Sequence, residues 1–130
     1  MKDGKKEVAR NQIYQALDTI KTSKKMKNPV EYLEDSLDKI KPKVEVRPRR
    51  IGGAVYQVPA PVRGHRQLSL AIRWLVNASR NRPNKLYHHF YQKLIAEMED
   101  AQKDQGEAFK KRQDSEKMAE ANRAFSHLRW

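Results

Sequence analysis

The sequence predicts a mainly α-helical bundle of about five helices from which one β-hairpin protrudes. Apolar residues recur at intervals of three and four through most of the chain, which is the spacing of one buried helix face. Between about residues 43 and 62 the period changes to two, around the adjacent glycines Gly52 and Gly53. With 130 residues the chain is long enough for one domain with one modest core, so we expect residues 1–130 to form a single domain.

The composition favours a polyanionic partner. The chain has 28 Lys and Arg against 16 Asp and Glu, a net charge of +12, which points to nucleic acid first and to an anionic membrane second. No apolar run approaches the length of a membrane span, and a polar, charged N-terminus predicts no signal peptide. Because the chain has no cysteine, it has no disulfide and no thiolate metal site.

The charge is distributed unevenly along the chain. Residues 41–73 contain eight Lys and Arg against Glu45 alone, whereas residues 28–40 and 97–107 are net acidic. A merely soluble surface would mix the two signs. The distribution therefore predicts one side that faces nucleic acid and another that faces solvent.

The first two helices are indicated by their apolar period and their end signals. The first begins after Lys6 and ends among basic residues. Asn28 is placed to cap the second helix, with Pro29 at its first position and Glu31 where a capping-box acid belongs. The face predicted to be buried in the first helix is Ala9, Ile13, Ala16, Leu17 and Ile20, and the basic residues at its end are Lys21, Lys24, Lys25 and Lys27. The face predicted to be buried in the second is Val30, Leu33, Leu37 and Ile40, and Pro42 ends that helix.

Two extended arms follow and alternate apolar with polar residues. The apolar positions are Val44 and Val46 in the first arm, around Glu45, and Tyr56 and Val58 in the second, around Gln57. Adjacent glycines supply the positive φ that a tight hairpin turn requires. Because Pro59 and Pro61 lack an N–H, we expect them to stop further pairing on the return arm.

Three arginines crowd the approach to this turn: Arg47, Arg49 and Arg50. An isolated two-stranded hairpin is marginal in water. We therefore expect the hairpin to project from the helical body and to rest against an acidic partner. A projecting turn has no core to serve, so a purely structural role is the weaker interpretation of these arginines.

Three more helices are predicted after the hairpin. The third runs from about Gly64 to about Arg80, the fourth from about Lys85 to Gln105 with Gly106 as its C-terminal stop, and the fifth from about Ala108 to Ala124. The predicted buried residues are Leu68, Ala71, Ile72, Leu75 and Val76 in the third, Phe90, Leu94, Ile95, Met98 and Ala101 in the fourth, and Met118, Ala121, Phe125 and Leu128 in the fifth and its tail.

The sequence offers little for catalysis. It has no P-loop, no dinucleotide-binding fingerprint and no serine in a nucleophile elbow. His88 and His89 would point about 100° apart on a helix, which is poor for chelating one metal ion. The carboxylates fall on helix faces that we expect to be solvated, so a paired acid–base role is disfavoured. The prediction is a protein that is not an enzyme and that needs no metal or cofactor.

The residues present suit RNA, although each has a simpler alternative. Lys and Arg neutralise phosphates, and Arg adds bidentate hydrogen bonds. Tyr56, and Trp130 with His127, could stack on unpaired bases. The alternatives are packing for Tyr56, a half-core position for Trp74, and a solvated face for the run Lys110, Lys111 and Arg112.

Several segments together resemble the bacterial-type small ribosomal subunit protein seven family. They are VEV (44–46), RRIGG (49–53), YQVP (56–59), SLAIRWL (69–75), DGKK (3–6), KKR (110–112) and MAEANRAFSHLRW (118–130). Order and spacing agree over essentially the whole chain. Residues 83–106 match the family least closely in residue identity, although they keep the helical pattern.

The resemblance implies an RNA-binding helical protein with a protruding hairpin. Members bind the 3′ major domain of small-subunit rRNA, nucleate assembly of the subunit head, and lie near exit-site tRNA, departing mRNA and platform protein eleven. It implies a ribosome in the bacterial cytoplasm or in an organelle, and places Gly52 and Gly53 near the tRNA. The implied RNA-binding residues are Lys5, Lys6, Arg47, Arg49, Arg50, Arg66, Arg73, Lys110, Lys111, Arg112, Arg123 and Arg129.

The sequence departs from the family pattern at both ends. Family members carry a basic tail and a first helix before the DGKK segment, whereas only Met1 and Lys2 precede it in this sequence. The face formed by Ile13, Leu17 and Ile20 would then lack part of its packing. The tyrosine that the family has before the final Arg-Trp is Leu128 in this chain.

Two other functions are compatible with parts of the pattern. An architectural DNA-binding protein could place an arginine-rich β-ribbon in a groove, which would predict a dimer and a preference for duplex DNA. An RNA-processing enzyme is disfavoured, because no acid–base pair or metal cluster is evident.

Overall fold

The computed structural model describes residues 3–23 and 28–128. Within these ranges the chain forms five α-helices, one antiparallel hairpin and one short 3₁₀-helix, so the predicted mainly α fold with a hairpin is confirmed. Predictions that involve Met1, Lys24, Lys25, Lys27, Arg129 or Trp130 lie outside the described residues. In chain order the elements are α1 (Lys6–Ser23), α2 (Pro29–Ile40), β1 (Val44–Ile51), β2 (Ala54–Pro61), α3 (Gly64–Arg80), α4 (Phe90–Gln102), α5 (Glu107–Ala121) and the 3₁₀-helix (Arg123–Leu128).

Helix α4 forms the centre of the helical body. It packs against α1, α2 and α3, and α5 joins the body beside α3. The core between these helices is mainly apolar, with Ile20, Ile40, Leu75, Met98 and Ala101 each at most 3% exposed. The hairpin lies outside this core and packs on α5 and on the 3₁₀-helix.

The predicted start of α2 is confirmed. The Asn28 side-chain oxygen accepts a hydrogen bond from the Val30 N–H at 3.1 Å, and Pro29 is the first helical residue. Leu37 and Ile40 are buried as predicted, whereas Val30 is 43% exposed. The buried face instead includes Ser36, whose hydroxyl donates to the Tyr32 carbonyl oxygen at 3.0 Å.

The predicted apolar stripes are confirmed at Ala16 and Ile20 of α1 and at Ala71 and Leu75 of α3, but three of their other residues are exposed. Leu68 and Ile72 are 41% and 45% exposed, and Ile13 of α1 is 36% exposed. In α3 the buried residues are Leu70, Ala71, Leu75, Ala78 and Ser79. The reason is that α3 has neighbours in α2, α4 and α5, which rotate its buried arc away from Leu68 and Ile72. Trp74 is half-buried against the core, as predicted.

The ends of α4 also differ from prediction. The helix begins at Phe90 rather than near Lys85, and it ends at Gln102. Its C-terminal turn is closed by Asp104, which has φ +58°, and by a hydrogen bond from the Gln105 N–H to the Asp100 carbonyl oxygen at 2.8 Å. Gly106 is therefore not the stop of α4 but the N-cap residue that precedes α5.

The stripe predicted for α5 and its tail is wrong at Met118 and Ala121, which are exposed, whereas Phe125 and Leu128 are half-buried. Ala108, Phe109 and Ala119 are buried in their place. The helix ends at Ala121, and the following 3₁₀-helix turns towards the hairpin instead of continuing the body.

The hairpin pairs in the predicted register around its glycine turn. Pairs run from Ile51 with Ala54 at the tip to Val44 with Pro61 at the base, and Gly52 and Gly53 have φ +57° and +86°. The prediction that Pro59 and Pro61 stop the pairing is wrong.

The prolines are accommodated because hydrogen-bonded and non-hydrogen-bonded pairs alternate in an antiparallel ladder. The Val62 N–H donates to the Lys43 carbonyl oxygen at 3.0 Å, which makes that pair a hydrogen-bonded one. Counting along the register, all three strand prolines fall in non-hydrogen-bonded pairs, where an N–H would point outward. These prolines are Pro48, Pro59 and Pro61.

The two faces of the hairpin are not the ones that the alternation predicted. Val58 lies opposite Arg47, and Tyr56 lies opposite Arg49, so both share a face with Glu45 and not with the valines of β1. Val58 is fully buried, and the Tyr56 ring packs on the Phe125 ring of the 3₁₀-helix at a centroid distance of 5.2 Å. The hairpin therefore packs on its neighbours mainly through Val58 and Tyr56, and its tip, residues 50–55, forms the longest continuously exposed stretch of the two strands and their turn.

Candidate nucleic-acid interface

A carboxylate at the base of the hairpin joins two of the predicted RNA-binding arginines. The Glu45 side chain, 12% exposed, accepts hydrogen bonds from Arg66 Nε at 2.7 Å and from Arg66 Nη2 at 3.1 Å. It also accepts one from Arg47 Nε at 3.2 Å. The hydrogen bond from Arg66 lowers the pKa of the Glu45 carboxyl, although partial burial opposes this, and the same bond raises the pKa of Arg66. The carboxylate therefore stays ionised at neutral pH.

The exposed face of α3 continues from this point. Arg73 follows Arg66 by seven residues, which is about two turns or 10 Å along the helix, and it is exposed. Arg80, a further seven residues on, is also exposed and was missed by the sequence prediction, although the same spacing would have found it. We call Arg47, Arg66, Arg73 and Arg80 the arginine track.

The track reaches the start of α1. Arg80 and Lys5 both line a cleft of about 430 Å³, whose apolar wall includes Val8, Ile13 and Val76. Lys5 lies directly before α1, and Lys6 is its first residue rather than part of a loop. Both lysines are exposed. Lys5 therefore lies beside Arg80 at this cleft, and Lys6 follows it at the start of α1.

The two arginines next to the turn have different surroundings. Arg50 is exposed, whereas Arg49 is half-buried and donates from Nη1 to the backbone carbonyl oxygen of Leu128. A structural role, which the sequence made the weaker interpretation for these arginines, therefore applies to Arg49. It ties the hairpin to the 3₁₀-helix on the face where Tyr56 meets Phe125.

The basic residues of α5 also divide into two kinds. Lys110 and Lys111 are exposed. Arg112 is turned inward: its Nη1 donates to the Lys39 carbonyl oxygen at 2.9 Å, and its guanidinium lies 5.6 Å from the Phe109 ring centroid. It therefore ties α5 to the end of α2. Arg123 is exposed beside Glu120 at 3.2 Å, and Arg129 lies outside the described residues.

One buried carboxylate contradicts the prediction that the acids are solvated. Glu97 is 1% exposed and accepts from Arg82 Nε at 2.8 Å and from the Ala108 N–H at 3.0 Å, while Arg82 also pairs with Asp100. Burial alone would lower the pKa of Arg82, but these two acids outweigh it and raise the pKa. These contacts join the segment after α3 to the C-terminal half of α4 and to the first turn of α5. Both oxygens of the Glu97 carboxylate are used in this structural role.

Residues 3–23 and 28–128 contain neither a cluster of metal ligands nor a helix suited to span a membrane. No three His, Cys, Asp or Glu side chains in these ranges converge as a metal site would require. His88 and His89 are exposed, and the His89 ring stacks on Tyr91 at 5.6 Å. In the same part of the chain, no helix has both the length and the apolar character that crossing a bilayer requires.

The sequence is similar to a known protein family over almost its whole length. The sequence pattern of the family described as "Ribosomal protein S7p/S5e" matches residues 1–123. The "Small ribosomal subunit protein uS7" of Erythrobacter litoralis is 52% identical over 130 residues, which cover all of this chain and 81% of that protein. Those of Phenylobacterium zucineum and Cereibacter sphaeroides (the latter named uS7A/uS7B) are each 51% identical over the same shares. The chain therefore belongs to the ribosomal protein S7p/S5e family, the non-enzymatic, rRNA-binding structural components of the small ribosomal subunit.

Proposed function

We propose that this protein binds the 3′ major domain of small-subunit rRNA through the arginine track, and that this binding nucleates assembly of the subunit head. The observation that supports the proposal best is the alignment of Arg66, Arg73 and Arg80 on one exposed helix face, beginning at the hairpin base. Arginine is suited to this use because its planar guanidinium can hydrogen-bond a phosphate through two N–H groups.

The remaining basic residues extend the surface on both sides. Lys5 and Lys6 prolong the arginine track beyond Arg80, and Lys110, Lys111 and Arg123 contact RNA from the C-terminal part. Arg129 is proposed on the family resemblance alone. Arg49 and Arg112 have contacts within the protein, so each contacts RNA only with the donors that those contacts leave.

The hairpin tip has a separate role in this proposal. Residues 50–55 are exposed, and Gly52 and Gly53 carry no side chain, so an RNA backbone can approach closely. We place this tip beside exit-site tRNA and departing mRNA, with protein eleven as a neighbour. Deletion of the tip should weaken rRNA binding less than loss of the track arginines and should appear mainly in translation assays of assembled subunits.

A salt titration tests the rRNA interaction. Affinity for a 3′ major domain fragment should fall by about a thousandfold or more between 50 and 200 mM salt if roughly six to ten phosphates are neutralised. Replacement Arg73→Ala should reduce the slope of log affinity against log salt by about one. The matched control is Lys103→Ala, which removes an exposed charge next to the acidic end of α4 and should leave the slope unchanged.

Two outcomes would contradict the proposal. One is an affinity that barely changes with salt, and the other is equal loss of slope in both variants. A competition with duplex DNA tests the architectural alternative, which predicts that DNA displaces the rRNA. Membership of a ribosomal protein family favours the opposite result.

A further inference from the structure

Glu45 is an unexpected residue in its position. It is the single acid among residues 41–73, which contain eight Lys and Arg. In a surface that binds phosphate, a carboxylate repels the ligand, so it should weaken binding unless it has a compensating role. Electrostatics alone therefore predicts that RNA binding would improve without it.

The geometry around Glu45 supplies such a role. Both carboxylate oxygens accept from Arg66, through Nε and Nη2, and one of them also accepts from Arg47. Because Arg47 and Glu45 lie on β1 and Arg66 lies on α3, the bridge fixes the hairpin base against the helix. Arginine has five N–H donors, and two of those on Arg66 are engaged with Glu45. The other three donors of Arg66 remain available for an RNA phosphate. The side chains of Arg66 and Arg47 are 39% and 48% exposed, respectively.

We propose that Glu45 is a positioning residue for rRNA binding, which holds the guanidinium groups of Arg66 and Arg47 in the orientation that receives phosphates. Long arginine side chains lose rotamer freedom when they bind, and a side chain that is already held loses less. The ordering of two arginines outweighs the repulsion of one carboxylate. This inference rests on the proposed rRNA binding.

The variant Glu45→Gln tests the inference through the sign of its effect. The change keeps the shape of the side chain and raises the net charge by one, so simple electrostatics predicts tighter binding. The inference predicts binding that is about five- to tenfold weaker, the size expected for freeing two arginine side chains. Glu34→Gln is the matched control, because it makes the same chemical change at an exposed position of α2 and should bind equally or slightly tighter.

A second measurement separates positioning from a general effect on folding. In a protein that already carries Arg47→Ala and Arg66→Ala, Glu45→Gln should cause no further weakening, because no guanidinium is left to position. Continued weakening in that background would show a merely structural role and would overturn the inference.

If Glu45→Gln does not fold, Arg66→Lys decides the question. It keeps the charge but loses the two-pronged contact, and it should weaken binding by a similar factor; unchanged affinity would overturn the inference. Failure of the two proposals is distinguishable. If the unaltered protein shows no salt-dependent binding to rRNA, the proposed function is wrong. If the unaltered protein binds rRNA normally and Glu45→Gln binds it equally well or more tightly, only the positioning role is wrong.

Discussion

Arg49 and Arg50 are neighbours with the same charge, and the structure predicts that they contribute differently to stability. Arg49 donates to the Leu128 carbonyl oxygen from a half-buried position, and Arg50 is exposed. A hydrogen bond from a charged donor contributes about 1.5–3 kcal/mol, and partial exposure reduces this to roughly 1–2 kcal/mol. Arg49→Ala should lower the free energy of unfolding by this amount. Arg50→Ala should change it by no more than about 0.5 kcal/mol, as surface substitutions do.

Thermal unfolding followed by circular dichroism measures the difference. For a chain of this size, 1 kcal/mol corresponds to a Tm change of about 3–5 °C, so Arg49→Ala should melt roughly 3–10 °C lower and Arg50→Ala within about 2 °C of the unaltered protein. Arg50→Ala should nevertheless weaken rRNA binding, measured well below both melting temperatures. Equal Tm changes, or a larger change for Arg50→Ala, would refute the assignment of Arg49 as the tie between hairpin and 3₁₀-helix.

Three further outcomes test the body of the protein. Leu37→Ala should cost about 2–5 kcal/mol in urea denaturation, as truncation of a buried leucine does, and a cost below about 0.5 kcal/mol would place α2 outside the core. Gly106→Ala should cost about 2 kcal/mol or more by the same measurement, because Gly106 has φ +93° and its added Cβ would lie 2.7 Å from Glu97 Oε1; a neutral result would contradict the tight packing there. The pKa of Glu45 is lowered in the folded protein, so the ionised carboxylate stabilises the fold, by at most about 1 kcal/mol. This contribution to the free energy of unfolding is present above the ordinary carboxyl pKa of about 4.3 and is lost as the pH falls further. The difference in unfolding free energy between the unaltered protein and Glu45→Gln should therefore narrow as the pH falls below about 4.3, and a constant difference would count against the ion pair.

The boundaries of an element could be predicted where a residue has a strong backbone or capping preference. Gly52 and Gly53 define the hairpin turn because few other residues adopt their φ, and Asn28 with Pro29 defines the start of α2. The start of α4 was placed too early because the apolar period continues through residues that do not form a helix. Asp104 was overlooked as the C-terminal turn because glycine is the usual residue at a positive φ.

Long-range contacts determined what the sequence could not predict. The period of α3 identifies an apolar stripe but not the side on which neighbours pack, so Leu68 and Ile72 were assigned to the core. Within the candidate interface, the residue types and the spacing of Arg66 and Arg73 were visible. The contact of Arg112 with the end of α2 and the ion pair of Glu45 with Arg66 join residues that are far apart in the sequence. Sequence spacing therefore does not predict them.

The three strand prolines have a consequence for the free protein before it meets RNA. A two-stranded ribbon has two open edges, and an open edge with regularly spaced N–H groups can recruit a strand from another molecule. Pro48 on β1 and Pro59 and Pro61 on β2 occupy outward-facing positions of this ribbon, so each removes a donor from an edge without removing one from the ladder. Two free chains are thereby hindered from pairing edge to edge through their hairpins.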